Sequence, residues 1–214
     1  MTPAFTGFSP DAITFLRGLK ANNDRTWFAA HKATYEAALK RPAEAFAAEL
    51  SARLETMLDR AFKAKIFRIN RDIRFSKDKT PYNAHLHISF SPVSDPEGPA
   101  YLFGLEPDRM VVGAGLFEQS GARLDGLRRA IDLDGDRLAA LTAGWRLHEP
   151  ALKRVPAPYA ADHPHAELLK HKGITLWRDM PAGDAAVGPA LAGIVGQAFA
   201  ELAPLNDWLA DAVR

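Results

Sequence analysis

The chain has 214 residues, of which 47% are hydrophobic and 25% are charged, and its formal net charge is +1. This length and composition predict one folded domain over residues 1–214 with enough apolar material for a core, and they exclude a disordered chain. Because the sequence contains no cysteine, a disulfide framework, a thiolate nucleophile and a Cys-ligated metal are all excluded.

Neither end of the chain predicts a targeting or membrane segment. Residues 1–20 lack the basic start and apolar run of a signal peptide, since Asp11 and Arg17 interrupt them. The weakly charged stretch from Ala185 to Ala200 contains Pro189 and falls short of the ~20 apolar residues that a bilayer requires. We therefore expect a soluble, cytoplasmic protein without a membrane partner.

The first third of the sequence predicts helices. A Ser-Pro-Asp sequence at residues 9–11 is typical of a helix start, and the Asn pair at residues 22–23 is expected to end that helix. A second helical pattern begins at Asp24. Pro42 begins another, in which Phe and Leu recur at steps of four. We expect all of these helices to pack against a core.

The middle of the sequence predicts strands. Alternation replaces the helical period at Ile66, from which Phe67 and Ile69 are expected to face one way and Arg68 and Asn70 the other. Further strands are predicted at residues 85–91, 100–105 and 109–113, with turn-rich sequence between them. Three short strands with tight connections predict an antiparallel meander.

Helices resume in the second half. They are predicted at residues 122–131 and 134–144, and a short one near residues 165–171 follows a Pro-rich stretch. One more strand is expected at residues 174–178, before a buried closing helix from about residue 188 to 212. This order of helices, strands and helices indicates an α+β fold around a central, mainly antiparallel sheet.

Residues 63–79 are the most basic part of the sequence. They hold seven Lys and Arg against two Asp, so that seven minus two gives a local charge of +5 within a chain of +1. Arginine offers a planar fork of donors that matches phosphate or carboxylate, so this segment predicts anion recognition. The alternative is a solvated basic edge whose Arg71 and Arg74 pair with acidic residues.

Two groups of histidines are candidates for metal or proton chemistry. His85 and His87 fall on one face of a predicted strand, but two ligands alone do not make a metal site. Later, Glu167 and His171 lie one helical turn apart, and His163 is the candidate acid or base. Structural histidines are the alternative, and we predict neither a metal nor a cofactor.

The Gly-Ala-Gly sequence at residues 113–115 follows a predicted strand and precedes a helix. Glu118 occupies the third glycine position of a dinucleotide-binding motif, so we interpret the two glycines as a closely packed turn. The sequence contains no Walker, GxSxG or HExxH motif. The readily recognised NTPase and hydrolase classes are thereby removed.

Several strings together resemble one family over nearly the whole chain. They are FLxxL at residues 15–19, NNxxxWF at 22–28, HKxxYE at 31–36, RDxRFSKDKxPY at 71–82, GxG at 113–115, and RxP to DHP at 154–164. In these strings the chain is similar to the bacterial and fungal family domain of unknown function 2461. The family pattern usually continues Pro-Tyr with Lys, where this chain has Asn83. The resemblance implies a compact α+β fold and no established activity, cofactor or partner.

Our leading hypothesis is a pocket for a small anionic or phosphate-bearing ligand. Asp72 would orient an arginine, and His163 would carry a proton if the protein is an enzyme, which the sequence leaves open. Because pockets draw residues from several elements, we expect Arg71 or Arg74 to share one cleft with Tyr159 or His163. The candidate ligand contacts are Arg68, Arg71, Arg74, Lys79, Tyr82, Arg154 and Tyr159.

Two other classes of function stay open, and the oligomeric state is not predicted. The basic segment could bind single-stranded nucleic acid, with Phe67, Phe75 and Tyr82 as stacking surfaces. A sequence pI of 8.0 weighs against this function, since such domains commonly exceed ~9. A non-catalytic interaction or oligomer-forming protein is suggested by the Ala- and Gly-rich last helix, which ends near Trp208 and Leu209.

Overall fold

A computed structural model describes residues 4–181 and 187–214 of the chain. The start of the apolar stretch from Ala185 lies outside these ranges. The described residues form N-terminal helices, a central six-stranded antiparallel sheet and C-terminal helices, so the predicted α+β class is confirmed. No helix within the described ranges is long and apolar enough to cross a membrane.

The N-terminal helices begin and end close to where the sequence places them. Ser9 precedes the first helix and Asn22 ends it, while the side chain of Asp24 accepts a hydrogen bond from the Trp27 N–H at 2.8 Å. A π-helical turn over Tyr35–Lys40 leads into the long fourth helix. The segments are α1 (Pro10–Ala21), α2 (Arg25–Ala30), α3 (Lys32–Thr34) and α4 (Arg41–Leu58).

The first four strands form the predicted antiparallel meander. They are β1 (Phe62–Ile66), β2 (Leu86–Pro92), β3 (Ala100–Leu105) and β4 (Arg109–Leu116). The prediction that a strand starts at Ile66 is wrong, because Ile66 is the last residue of β1. The chain leaves the sheet after it, and Asn70 forms only an isolated bridge with Tyr82. Phe67 is consequently exposed while Ile69 is buried, so the two do not share a face.

The second half completes both the sheet and its covering layer. The two helices predicted around residue 132 are one helix with a kink at Asp134, whose carboxylate accepts a hydrogen bond from Trp208 Nε1 at 2.9 Å. The short strand β5 was not predicted, and the sheet order is β1-β2-β3-β4-β6-β5. The elements are α5 (Gly121–Thr142), β5 (Arg146–Leu147), α6 (Ala166–Leu169), β6 (Ile174–Pro181) and α7 (Leu191–Ala212).

Helices cover one face of the sheet. The helix α4 packs on β1, α7 packs on β3 and β4, and α5 packs on α7. Leu86, Ile88 and Phe90 of β2 are buried on the covered face, whereas His87 between them is exposed. Successive strand residues point to opposite faces, so this alternation identifies a second, uncovered side of the sheet, which we call the open face.

Gly113 and Gly115 lie inside β4, so the predicted glycine turn is wrong, although the predicted close packing is present. Gly115 pairs with Thr175 of β6 and has a φ of +139°. A Cβ atom at Gly115 would lie 2.0 Å from the carbonyl oxygen of Ile174. Only glycine fits this position, since the close approach of β6 and the positive φ both exclude a side chain.

We expect Gly115→Ala to lower the free energy of unfolding by about 3 kcal/mol, because the new methyl group meets backbone atoms at a positive φ. Gly193→Ala is the matched control, since nothing lies within 4 Å of its added Cβ. That control lies in α7 and should be neutral or stabilise by up to about 1 kcal/mol. Urea unfolding of both variants measures the difference. Equal effects would show that β4 and β6 can separate at Gly115.

Candidate functional site

The basic loop, residues 67–85 between β1 and β2, is fixed to the N-terminal helices. Asn23 Nδ2 donates to the Tyr82 carbonyl at 2.9 Å, and the Tyr82 N–H donates to Asn23 Oδ1 at 3.0 Å. The ring of Tyr82 is 8% exposed and stacks on Phe28 with ring centroids 4.2 Å apart. Tyr82 was predicted as a ligand contact, and in the structure it anchors the loop.

An ion pair closes the far end of the basic loop. Arg71 Nη1 donates to Asp78 Oδ2 at 2.6 Å, to the Thr80 carbonyl at 3.0 Å and to the Thr80 hydroxyl. The Thr80 backbone N–H and then the Arg71 guanidinium lower the pKa of Asp78 to about 2. Asp78 is therefore ionised at neutral pH and holds Arg71 in place.

The other predicted cations differ in how they are engaged. Arg74 Nη2 donates to Asp72 Oδ2 at 2.6 Å, and this hydrogen bond lowers the pKa of Asp72. Lys79 Nζ donates to the Ile73 carbonyl at 3.0 Å. Arg68 makes no ion pair with any residue in the described ranges. Of the three arginines in the loop, Arg68 thus has its charge least compensated.

A cavity of 320 Å³ lies against the basic loop, and we call it the basic-loop cavity. Arg68, Arg71 and Asp72 line it, so three of the predicted site residues come together. Arg74, Lys79 and Tyr82 are not part of its lining. The remaining lining residues are Phe67, Asn70, Asn83, His85 and His87.

The open-face cavity, of 510 Å³, adjoins the basic-loop cavity and shares Phe67 and His87 with it. Two glycines let aromatic rings lie close to the backbone of the sheet at this cavity. A Cβ at Gly104 would lie 3.0 Å from the His87 ring, and one at Gly113 would lie 2.7 Å from the Trp177 ring. Arg146 and His148 line it too. It therefore combines aromatic faces with hydrogen-bonding groups.

A third cavity, of 680 Å³, extends the open face further along the sheet. It shares Phe67 and Phe117 with the open-face cavity and also includes Lys65 and Arg123. Lys65 Nζ lies 4.9 Å from the centre of the Phe67 ring. Phe67 lines all three cavities, which makes them one connected surface.

His85 and His87 stack at the junction of the first two cavities, with ring centroids 3.9 Å apart. Burial of the imidazole, followed by the charge of His85, lowers the pKa of His87 to about 4, although part of the residue stays exposed to solvent. Burial also lowers the pKa of His85. Both rings are therefore neutral at pH 7. Within residues 4–181 and 187–214, no cluster of three or more metal-ligating side chains occurs.

The residues predicted from the later part of the chain lie elsewhere. Tyr159 lines a separate cavity with Arg128 and Arg129, and this cavity shares no lining residue with the basic-loop cavity. Arg154 is exposed. The prediction that Arg71 and Tyr159 share one cleft is therefore wrong, because they line two separate cavities. The basic loop leaves the β1 edge of the sheet. The later segment follows β5 at the other edge, and its His148 N–H donates to the Thr175 carbonyl of β6.

Both ring nitrogens of His163 are engaged. Nε2 lies 3.0 Å from Asp132 Oδ1, and Nδ1 accepts a hydrogen bond from the His165 N–H at 3.0 Å. This arrangement fixes the neutral tautomer that carries its proton on Nε2. His163 can exchange a proton with a ligand only after one of these bonds breaks.

Sequence reasoning missed the residues that complete the open face, namely Trp177, Phe117, Arg146 and His148. The alternation of Trp177 with buried Leu176 was a usable signal for a strand with two different faces. The sequence of one strand does not show which of its two faces the helices will cover. The uncovered face therefore could not be identified from the sequence.

We expect NMR titration to show His87 titrating near pH 4 in the folded protein and near its ordinary value of 6.5 after denaturation. Because the folded pKa is the lower one, the unfolded chain takes up the proton first. This histidine's contribution to stability is complete above pH 6.5 and falls as the pH drops toward 4. A folded-state pKa at or above 6.5 would contradict the crowded environment.

The chain matches a protein-family model. A search of curated proteins found none similar to the chain. A family model described as "Conserved hypothetical protein (DUF2461)" matches residues 11–208. The matched range includes the basic loop, every strand of the sheet and the separate cavity at Tyr159. The family expected from the sequence strings is thereby confirmed, and the chain belongs to the DUF2461 family.

Proposed function

We propose that the protein binds a small anionic, phosphate-bearing ligand in the basic-loop cavity, with the ligand's remaining part lying over the open face. The observation that carries this proposal is the junction at Phe67 and His87, where the two cavities meet. A cationic wall there adjoins aromatic faces. A ligand that carries both an anionic group and a flat apolar body would use both surfaces.

The charges of the loop support Arg68 as the primary anion contact. Arg71 and Arg74 already donate to Asp78 and Asp72, so an added anion gains less from them. Arg68 lines the same cavity without an ion pair within the described part of the chain. A guanidinium of this kind can offer two parallel N–H donors to a phosphate.

The neutral histidines support hydrogen bonding to the ligand body. A neutral imidazole both donates and accepts. His85 lines the basic-loop cavity, and His87 lines both cavities. If the protein converts its ligand chemically, His85, His87 and Asp72 are the acid or base groups that line the basic-loop cavity. His163 does not line either cavity. We further propose a cytoplasmic location, for which the absence of cysteine is the support.

We expect Arg68→Gln to weaken binding of phosphorylated metabolites about tenfold or more, because a charge-assisted hydrogen bond contributes about 1.5–3 kcal/mol. Thermal-shift screening of the wild type finds the ligand, and calorimetry measures the loss of affinity. Arg53→Gln is the matched control, since Arg53 lies on α4 and pairs with Glu49 outside the three cavities. Equal affinities in the two variants would remove Arg68 from the site.

Single-stranded nucleic acid is the second candidate, and the length of the connected surface favours it. Phe67 and Phe117 are 45% and 53% exposed on that surface, and Phe75 of the basic loop is 95% exposed. Exposed rings on an open antiparallel sheet can stack on unpaired bases. The chain's net charge of +1 weighs against this function, because such binding depends on an excess of cations.

We expect any oligonucleotide binding to weaken steeply with salt, because each neutralised phosphate releases counterions. Fluorescence anisotropy of a labelled single strand over a salt series measures the slope. Phe75→Ala should weaken binding if the rings stack on bases, whereas the control Leu133→Ala removes an exposed apolar side chain on α5. Absent or salt-independent binding eliminates this candidate.

A further inference from the structure

A separate cavity of 240 Å³ lies between α5 and the segment that follows β5. Its volume equals about eight times the ~30 Å³ that one water occupies in the liquid, so a small oxyanion with several waters fits. We call it the α5 cavity. It is lined by Asp125, Arg128, Arg129, Ala157, Pro158 and Tyr159.

The two arginines of the α5 cavity are less compensated than the paired arginines of the basic loop. Neither Arg128 nor Arg129 makes an ion pair with a residue in the described ranges. Arg128 Nε is buried and has no hydrogen-bond partner among those residues. A buried donor without a partner is costly, and an anion that accepts from it would remove that cost.

The nearby carboxylates do not neutralise this pair of arginines. Asp125 belongs to the lining but lies beyond ion-pair distance of both guanidinium groups. Asp132 lies two helical turns after Asp125 and contacts Nε2 of His163 at 3.0 Å, which ties the later segment to α5. The lining therefore keeps two positive charges against one negative charge.

Tyr159 adds a neutral donor to the same cavity. Burial, and then the charge of Asp132, raise the pKa of its hydroxyl, so the phenol stays protonated at neutral pH. Its ring meets the His163 ring edge-on at 6.0 Å, which helps to hold the side chain in position. Two guanidinium groups and one hydroxyl are donors that suit a tetrahedral oxyanion.

We propose that Arg128, Arg129 and Tyr159 form an oxyanion site that accepts a phosphate group, independent of the ligand proposed for the basic loop. The α5 cavity shares no lining residue with the other cavities described above. The phosphate can be a free ion or the terminal group of a larger molecule. Both sources present the same oxygens to the arginines.

Calorimetric titration of the full chain with inorganic phosphate tests the site. We expect saturable binding that Arg129→Gln weakens about tenfold or more, because the substitution removes charge-assisted hydrogen bonds to the anion. Arg129 is exposed, so its loss should leave folding intact. Arg137→Gln on the same helix, which removes an exposed arginine 3.9 Å from Asp134, is the matched control and should bind phosphate as the wild type does. Tyr159→Phe should weaken binding less than Arg129→Gln.

Two comparisons separate this site from the basic loop and identify the source of the phosphate. Phosphate binding that Arg129→Gln weakens and that Arg137→Gln retains is assigned to the α5 cavity, whereas binding that Arg68→Gln weakens is assigned to the basic loop. The failure of one proposal is therefore distinguishable from the failure of the other. Tighter binding of glycerol phosphate than of inorganic phosphate supports a larger ligand, and equal affinity supports the free ion. Absent binding, or binding lost in Arg68→Gln and retained in Arg129→Gln, overturns the α5 site.

Discussion

The pairing of β4 with β6 is the contact on which both halves of the molecule depend. It joins the meander of the first half to the strands and helices of the second, and it runs along the whole of β4. At Gly115 the partner backbone comes so close that no Cβ fits. Because α7 covers β4 on one side, the other side is left to form a shallow floor.

Small residues on that floor determine what the open face can hold. Gly104 and Gly113 let the rings of His87 and Trp177 lie close to the backbone. Larger residues would lift these rings and fill the cavity between them. The same absence of side chains that allows close strand packing therefore also creates space for a ligand, which connects the stability of the sheet to its chemistry.

Ion pairing divides the arginines of the basic loop and the α5 cavity into two groups. Arg71 and Arg74 are neutralised locally, and their pairing with Asp78 and Asp72 shapes the basic loop. Exposed ion pairs contribute little to stability in general, so we interpret these contacts as ordering the loop rather than holding the fold together. Arg68, Arg128 and Arg129 keep more of their charge available for a ligand. The local charge of +5 counted from the sequence therefore includes arginines that are already paired with Asp. The same count does not point to Arg128 and Arg129 on α5.

The order of the helices and strands, and most of their positions, could be predicted from the sequence. Local signals such as Ser9 before α1 and the alternation of β2 suffice, because they depend on neighbours within a few residues. The family strings and the basic character of residues 63–79 were also readable without a structure. Three features depend on the packed fold: which charges pair, which face of the sheet stays uncovered, and the location of Arg71 and Tyr159 in different cavities. Those outcomes depend on contacts between residues far apart in the chain, such as Asn23 with Tyr82 and Asp132 with His163. No local pattern encodes such contacts, because their energy exists only once the strands and helices have packed.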